Sequence, residues 1–276
     1  MDVNTLHAFE GEVSKAIPGF EIRYKNASTM QRVLGWLVFP FNPEYLTKYI
    51  STFAPKVFFP SKDYYESTPR SSFVTLAHEL VHMMDSAKNP WWFRISYMLP
   101  QGLALLLLVV FGVLAGSHAW IIPVLLAGVI LATWAGHKSN VLFGLMAVMS
   151  LIGTGFLAVL FTGWSSVALF AAILLMLPWP SPGRSKWEMR GYSMNLAVLF
   201  WLNGGDTDKF RITSVFHRDF IARQFLGPAY YYMSWNRPSV LSGMDATIQR
   251  LRDGSILSDP PYRLVYDFLK VQNEIR

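Results

Sequence analysis

The sequence predicts a mostly helical α+β chain: a metal-binding domain in two halves, with an inserted four-helix transmembrane bundle between them. Three observations carry this. Ser71 to Ser86 reads SSFVTLAHELVHMMDS and holds His-Glu-x-x-His at His78, Glu79 and His82. Between Arg94 and Arg184 the only Lys, Arg, Asp or Glu is Lys138. After that run the composition turns polar again, and Glu188 is the only glutamate between Glu79 and Glu274. The expected halves are 1–94 and 181–276, with the bundle at 95–180.

Composition sets the outer limits. The 276 residues are 52% hydrophobic and only 15% charged, too apolar for an ordinary globular chain. There is no cysteine, which excludes disulfides, thiolate metal sites and cysteine nucleophiles, so any metal must use His and carboxylate. The net charge of +6 reads as basic loops beside a membrane. No Gly-rich phosphate loop, basic–aromatic alternation or repeat appears, so no nucleic-acid partner is expected.

In chain order, Leu6, Phe9, Val13 and Ile17 recur at helical spacing and stop near Pro18-Gly19. No secretory leader is expected at this end. Phe20 to Lys25 alternates like a strand, and Ser28 to Val38 reads as a second helix. Tyr45 to Thr52 and Lys56 to Pro60 are rich in aromatic and β-branched residues and suggest a hairpin. Lys56 to Pro60 is a candidate edge strand for holding an extended peptide; packing the core is the competing role.

The metal helix follows. Ser71 or Ser72 can cap it, and Asn89-Pro90 ends it. Positions i and i+4 share a helix face, so His78 and His82 can grip one Zn²⁺, and Glu79 can reach a metal-bound water as general base. Asp85 lies roughly on the same face. A carboxylate there can orient a ligand imidazole, ligate directly, or face solvent at the helix end.

Four apolar segments come next: Ser96 to Gly116, Trp120 to Gly136, Val141 to Phe161 and Trp164 to Pro178. Each is near the roughly 17–25 residues needed for a bilayer span. Lysines and arginines fall on one side of the expected crossings, which makes that side, with both chain ends, cytoplasmic. An even number of crossings returns the chain to the side it left, so Glu188 can meet the histidines. Ser185 and Glu188 also match a capping box, so capping alone is the competing role for Glu188.

His78-Glu79-Leu80-Val81-His82 followed by a distant Glu188 resembles the gluzincin branch of the zincin metallopeptidases. Apolar helices between motif and glutamate resemble the membrane peptidases of the HtpX and CAAX-protease type. The HELVHMMD string is similar to small bacterial and phage-encoded zincins, which points to a bacterial inner-membrane or phage-encoded protein. The resemblance implies a zincin-like fold and zinc-dependent hydrolysis of peptide bonds, here by a multi-pass protein at the cytoplasmic membrane surface. His78, His82 and Glu188 would be ligands and Glu79 the base, with a peptide or protein as substrate and a lipid bilayer as partner. The pattern departs from those families in having no apolar segment before the motif and Met-Arg-Gly-Tyr after the glutamate.

The C-terminal region reads as helices at Tyr192 to Leu202, Asp208 to Phe225, Ser239 to Arg252 and Tyr262 to Ile275, with a break at Asn203 to Asp206. Tyr192, His217, Arg218 and Tyr231 are candidates to stabilise an oxyanion; packing or surface placement is the competing role for each. A different class of function is a degenerate zincin domain in a membrane protein, acting as a binding scaffold or envelope factor. Catalysis with metal bound separates the two.

Overall fold

The computed structural model describes residues 1–38, 44–99, 179–205, 218–227 and 232–272, together with 103, 106, 107, 110, 153 and 171. Its contacts divide the chain into two units. One comprises Met1–Arg94, Ser185–Arg223 and Asn236–Arg276; the other comprises Ile95–Arg184 and Gln224–Trp235.

In the first unit, α1 (Val3–Ala16) is capped by Asp2, which accepts from the Thr5 N–H at 2.8 Å. It buries Leu6, Phe9 and Val13, the stripe its spacing predicts. Strand β1 (Glu21–Tyr24) and a 3₁₀ turn (Lys25–Ala27) lead to α2 (Thr29–Val38). Strands β2 (Ser51–Phe53) and β3 (Lys56–Phe59) form the expected hairpin, in antiparallel register with Thr52 opposite Val57.

The sheet order is β1-β3-β2, and β1 runs parallel to β3 with Ile22 opposite Val57. Strand β3 is therefore central, not the free edge expected of Lys56 to Pro60. Neighbours on both sides take its main-chain groups, and Val57, Phe58 and Phe59 are buried. The parallel partner comes from the far side of α2, as a parallel pair requires a long crossover.

Helix α3 (Lys62–Ser67) is capped by Ser61, and Tyr65 from it donates to Glu10 Oε1 at 2.7 Å, tying α3 to α1. Helix α4 (Pro69–Lys88) starts two residues before the expected serine caps, with Pro69 in its first turn, where a missing N–H costs nothing. Ser72 is instead buried and donates to the Tyr65 carbonyl at 2.7 Å. Helix α5 (Pro90–Met98) follows directly.

After the long apolar interval come α6 (Pro182–Leu202), α7 (Arg237–Arg252) and α8 (Pro260–Val271). Gly254, at φ +74°, makes the turn out of α7 that a side chain would strain. Phe9 of α1, Phe73 of α4 and Phe268 of α8 meet with ring centroids 4.5, 5.0 and 5.9 Å apart, which locks both outer helices onto α4.

In the second unit, Ser181 Oγ donates to the Leu99 carbonyl at 2.6 Å and Arg184 Nε to the Tyr97 carbonyl at 3.1 Å. The Ser181 N–H donates to the Met233 carbonyl at 3.0 Å.

The inserted transmembrane bundle, and the multi-pass bacterial inner-membrane placement with cytoplasmic ends that went with it, are not supported. Among the described residues no helix is long and apolar enough to cross a membrane. The long helices there are charged: α4 carries Arg70, Glu79, Asp85 and Lys88, and α6 carries Arg184, Lys186, Glu188 and Arg190. Helix α5 is apolar but has only 9 residues, against the roughly 20 a span needs. Apart from residues 96–99 and the isolated positions named above, the four segments between Ser96 and Pro178 lie outside the described residues.

Candidate metal centre

The site forms where α4 and α6 pack within the first unit. One turn of α4 separates His78 from His82, so both rings leave the same face and both are buried. Helix α6 runs unbroken from Pro182, so Ser185 and Glu188 lie inside it and Glu188 is not a capping group. Glu188 faces the two rings and is only 3% exposed. A carboxylate taken that far out of water needs a cation or several donors.

Three side chains converge. The Nε2 atoms of His78 and His82 stand 3.0 Å apart. Glu188 Oε2 is 3.5 Å from His78 Nε2, and Oε1 is 3.9 Å from His82 Nε2. Around a tetrahedral ion with bonds of about 2.0–2.1 Å, two ligand atoms lie about 3.3 Å apart. The observed separations bracket that edge length. His78, His82 and Glu188 thus form a buried group that can hold a metal ion. Two imidazoles and one carboxylate, with no thiolate in the chain, form a donor set of the kind divalent transition metals take.

Helix α6 offers a matched stripe. Glu188, Gly191, Tyr192 and Asn195 are spaced i, i+3, i+4 and i+7 on one face. Gly191 makes the close approach possible, because a Cβ there would lie 2.5 Å from His78 Nε2 and 2.6 Å from Cε1. The Tyr192 ring stands perpendicular to His78 with centroids 5.1 Å apart. Burial pulls the His78 pKa down. The Glu188 carboxylate and the Glu79 charge overcome that, leaving it above the ordinary histidine value. His82 ends below it, because burial, with His78 adding to it, outweighs the carboxylates.

Asp85 is buried but is not a member of the ligand group. It accepts a two-pronged bond from Arg190, Nε to Oδ2 at 2.8 Å and Nη2 to Oδ1 at 3.0 Å. Arg190 Nη1 also donates to Asp259 Oδ2 at 2.8 Å, and the Tyr262 hydroxyl donates to the Arg190 carbonyl at 2.7 Å. The arginine therefore fastens α4, α6 and the start of α8 together, two residues from Glu188.

Glu79 is half-buried, and its charge acts on His78, His82 and Lys25. Lys25 is buried; its ammonium donates to the Tyr45 carbonyl at 2.8 Å and lies 3.6 Å from the Tyr45 ring centroid. Burial lowers its pKa to about 7, against the opposing pull of Glu79. His217 and Tyr231 lie outside the described residues. Arg218 is engaged by Asp245 at 2.7 Å.

The role of Gly191 is readable in retrospect from its spacing to Glu188. Lys25 and Arg190 have no such signal, since their partners are remote in sequence. Comparison with family models, curated proteins and solved structures finds no match to this chain.

Proposed function

We propose that the chain is a zinc-dependent peptidase of the gluzincin kind, with His78, His82 and Glu188 as ligands and Glu79 as general base. One observation carries the reading: two imidazole nitrogens and a buried carboxylate converge within 4.8 Å of one another, with the HExxH glutamate beside them. A merely structural helix pair has no use for a buried carboxylate aimed at two ring nitrogens.

When bound, a zinc ion acidifies a water molecule and polarises the scissile carbonyl. The other steps belong to the protein. Glu79 removes the proton from the attacking water as its oxygen bonds to the carbonyl carbon. The same carboxyl then gives that proton to the amide nitrogen, the C–N bond breaks, and an acid and an amine leave. Tyr192 packs edge-on against the His78 ring from α6. Arg190, through Asp85 and Asp259, holds α6 against α4.

Elemental analysis of the purified chain and cleavage of a mixed peptide library test the reading. The wild type should carry about one zinc per chain and cleave. Glu79→Gln should keep the metal and lose hydrolysis, and His82→Ala should lose the metal. A Glu79→Gln protein that cleaves at the wild-type rate ends the proposal. Metal binding without cleavage in the wild type favours the degenerate-scaffold alternative.

A further inference from the structure

We propose that the exposed corner joining α4 to α5, with Trp91 and Trp92 flanked by Lys88 and Arg94, is a docking surface for an anionic lipid headgroup layer. The docking asks nothing of the metal centre's chemistry. It is contact with one face of a membrane, not a crossing.

Helix α4 ends at Lys88 and α5 begins at Pro90, with Asn89 between them. Every residue from Ala87 to Trp92 is exposed. Trp91 is 76% exposed and Trp92 62%. The pair leaves roughly 300 Å² of aromatic surface in water, a size of patch that marks an interaction site. Packing of α5 onto the metal centre is left to the next residue. The Phe93 ring centroid lies 6.1 Å from that of His82 and 5.2 Å from that of Trp187. The metal centre therefore lies on the inner side of the helix whose first turn carries the exposed pair.

The charge around the pair identifies what covers it. Lys88 and Arg94 are exposed on either side of it in the chain. Between Asp85 and Glu188 the sequence has no Asp or Glu, and Asp85 is buried in its bond to Arg190. An anionic layer therefore meets two cations here and no carboxylate from the same stretch of chain. Tryptophan suits such a layer, because its ring is apolar while its indole N–H can bond to headgroups or water. A second copy of the chain fits badly. A symmetric contact sets the same patch on both partners, so Lys88 and Arg94 would face their own kind. A stable interface also buries about 800 Å² on each partner, more than twice what the two rings offer.

The test uses the full-length chain, which has no cysteine, with a single labelling position introduced by Ala87→Cys and carrying an environment-sensitive fluorophore. Ala87 is exposed beside the pair, so the label reports on this surface whatever else of the chain touches lipid. Vesicles of phosphatidylcholine, with and without about one third phosphatidylglycerol, are titrated in. The anionic vesicles should shift the emission to the blue at lipid concentrations about ten-fold or more below those the neutral vesicles need. Lys88→Glu with Arg94→Glu should abolish that preference. Trp91→Ser with Trp92→Ser should weaken the response to both kinds of vesicle by about ten-fold or more. No shift on anionic vesicles, an equal shift on neutral ones, or a shift that both pairs of substitutions leave unchanged overturns the docking surface. A shift without lipid that grows with protein concentration means a second copy covers the patch, and overturns it as well. Should either substituted chain fail to fold, the comparison of anionic with neutral vesicles decides alone.

Discussion

Gly191 lies directly against His78: a Cβ built on the glycine would fall 2.5 Å from the ring Nε2. The neighbour is a buried ring packed against Tyr192, not the loose end of a flexible chain. Gly191→Ala should therefore push the imidazole off its position and weaken metal binding by roughly 10–100-fold, as lost ligand orientation does elsewhere. In an exposed helix the same change would favour folding by about 1 kcal/mol. The expected signature is thus weaker metal binding with α6 still helical, read by chelator competition and circular dichroism. Unchanged affinity would mean the ring has room the geometry does not give it.

Arg190 bridges Asp85 and Asp259 through a planar fork that lysine cannot copy. Arg190→Ala leaves Asp85, whose side chain is 9% exposed, without this partner. Breaking a buried pair from one side costs about 3–5 kcal/mol; because Arg190 is partly exposed, the lower end is expected here, about 3 kcal/mol by urea unfolding. Arg190→Lys should recover only part of it. Since α6 also carries Glu188, metal affinity should fall in parallel with stability.

Phe9, Phe73 and Phe268 join α1, α4 and α8 around one point, and Phe9 is wholly buried. Phe9→Ala should cost about 3–5 kcal/mol, the range for removing a buried aromatic ring. Chemical unfolding reads the loss, and the metal stoichiometry of the folded fraction should not change, because Phe9 is no part of the ligand group.

His78, Glu79 and His82 are legible because a spacing of four on a helix needs no knowledge of any partner. Glu188 is legible by scarcity, as the lone glutamate in a long stretch, although its local pattern suggested a cap that α6 overruns. The Arg190–Asp85 pair spans 105 residues, and nothing local marks it. The hairpin of β2 and β3 was visible, but β3 is central because β1 joins it from beyond α2, and strand spacing carries no information about a parallel neighbour. Lys25 closes the alternating stretch Phe20 to Lys25, and nothing local marks it as buried; Tyr45, twenty residues on, packs against its ammonium. The four apolar segments lie almost wholly outside the described residues, and the long described helices are the charged ones that build the site.

The buried lysine also has a consequence for stability. Its folded pKa is lowered from 10.5 to about 7 by burial, so between those values the unfolded chain holds a proton that the folded chain has released. Stability rises with pH wherever the unfolded state binds more protons. The Lys25 contribution should therefore be least favourable below about pH 7 and grow as the pH rises towards 10.5, with an upper limit on the order of 4–5 kcal/mol. Other groups titrate in the same window, so the measurement is a difference. Unfolding free energies of wild type and Lys25→Met, taken by urea at intervals from pH 6 to about pH 10, should diverge with a slope of the expected sign. Lys25→Met should be the more stable of the two at the acid end, where the wild type carries a buried ammonium, and should lose that advantage as the pH rises. Parallel curves would mean the ammonium is solvated in the folded state, contrary to its complete burial.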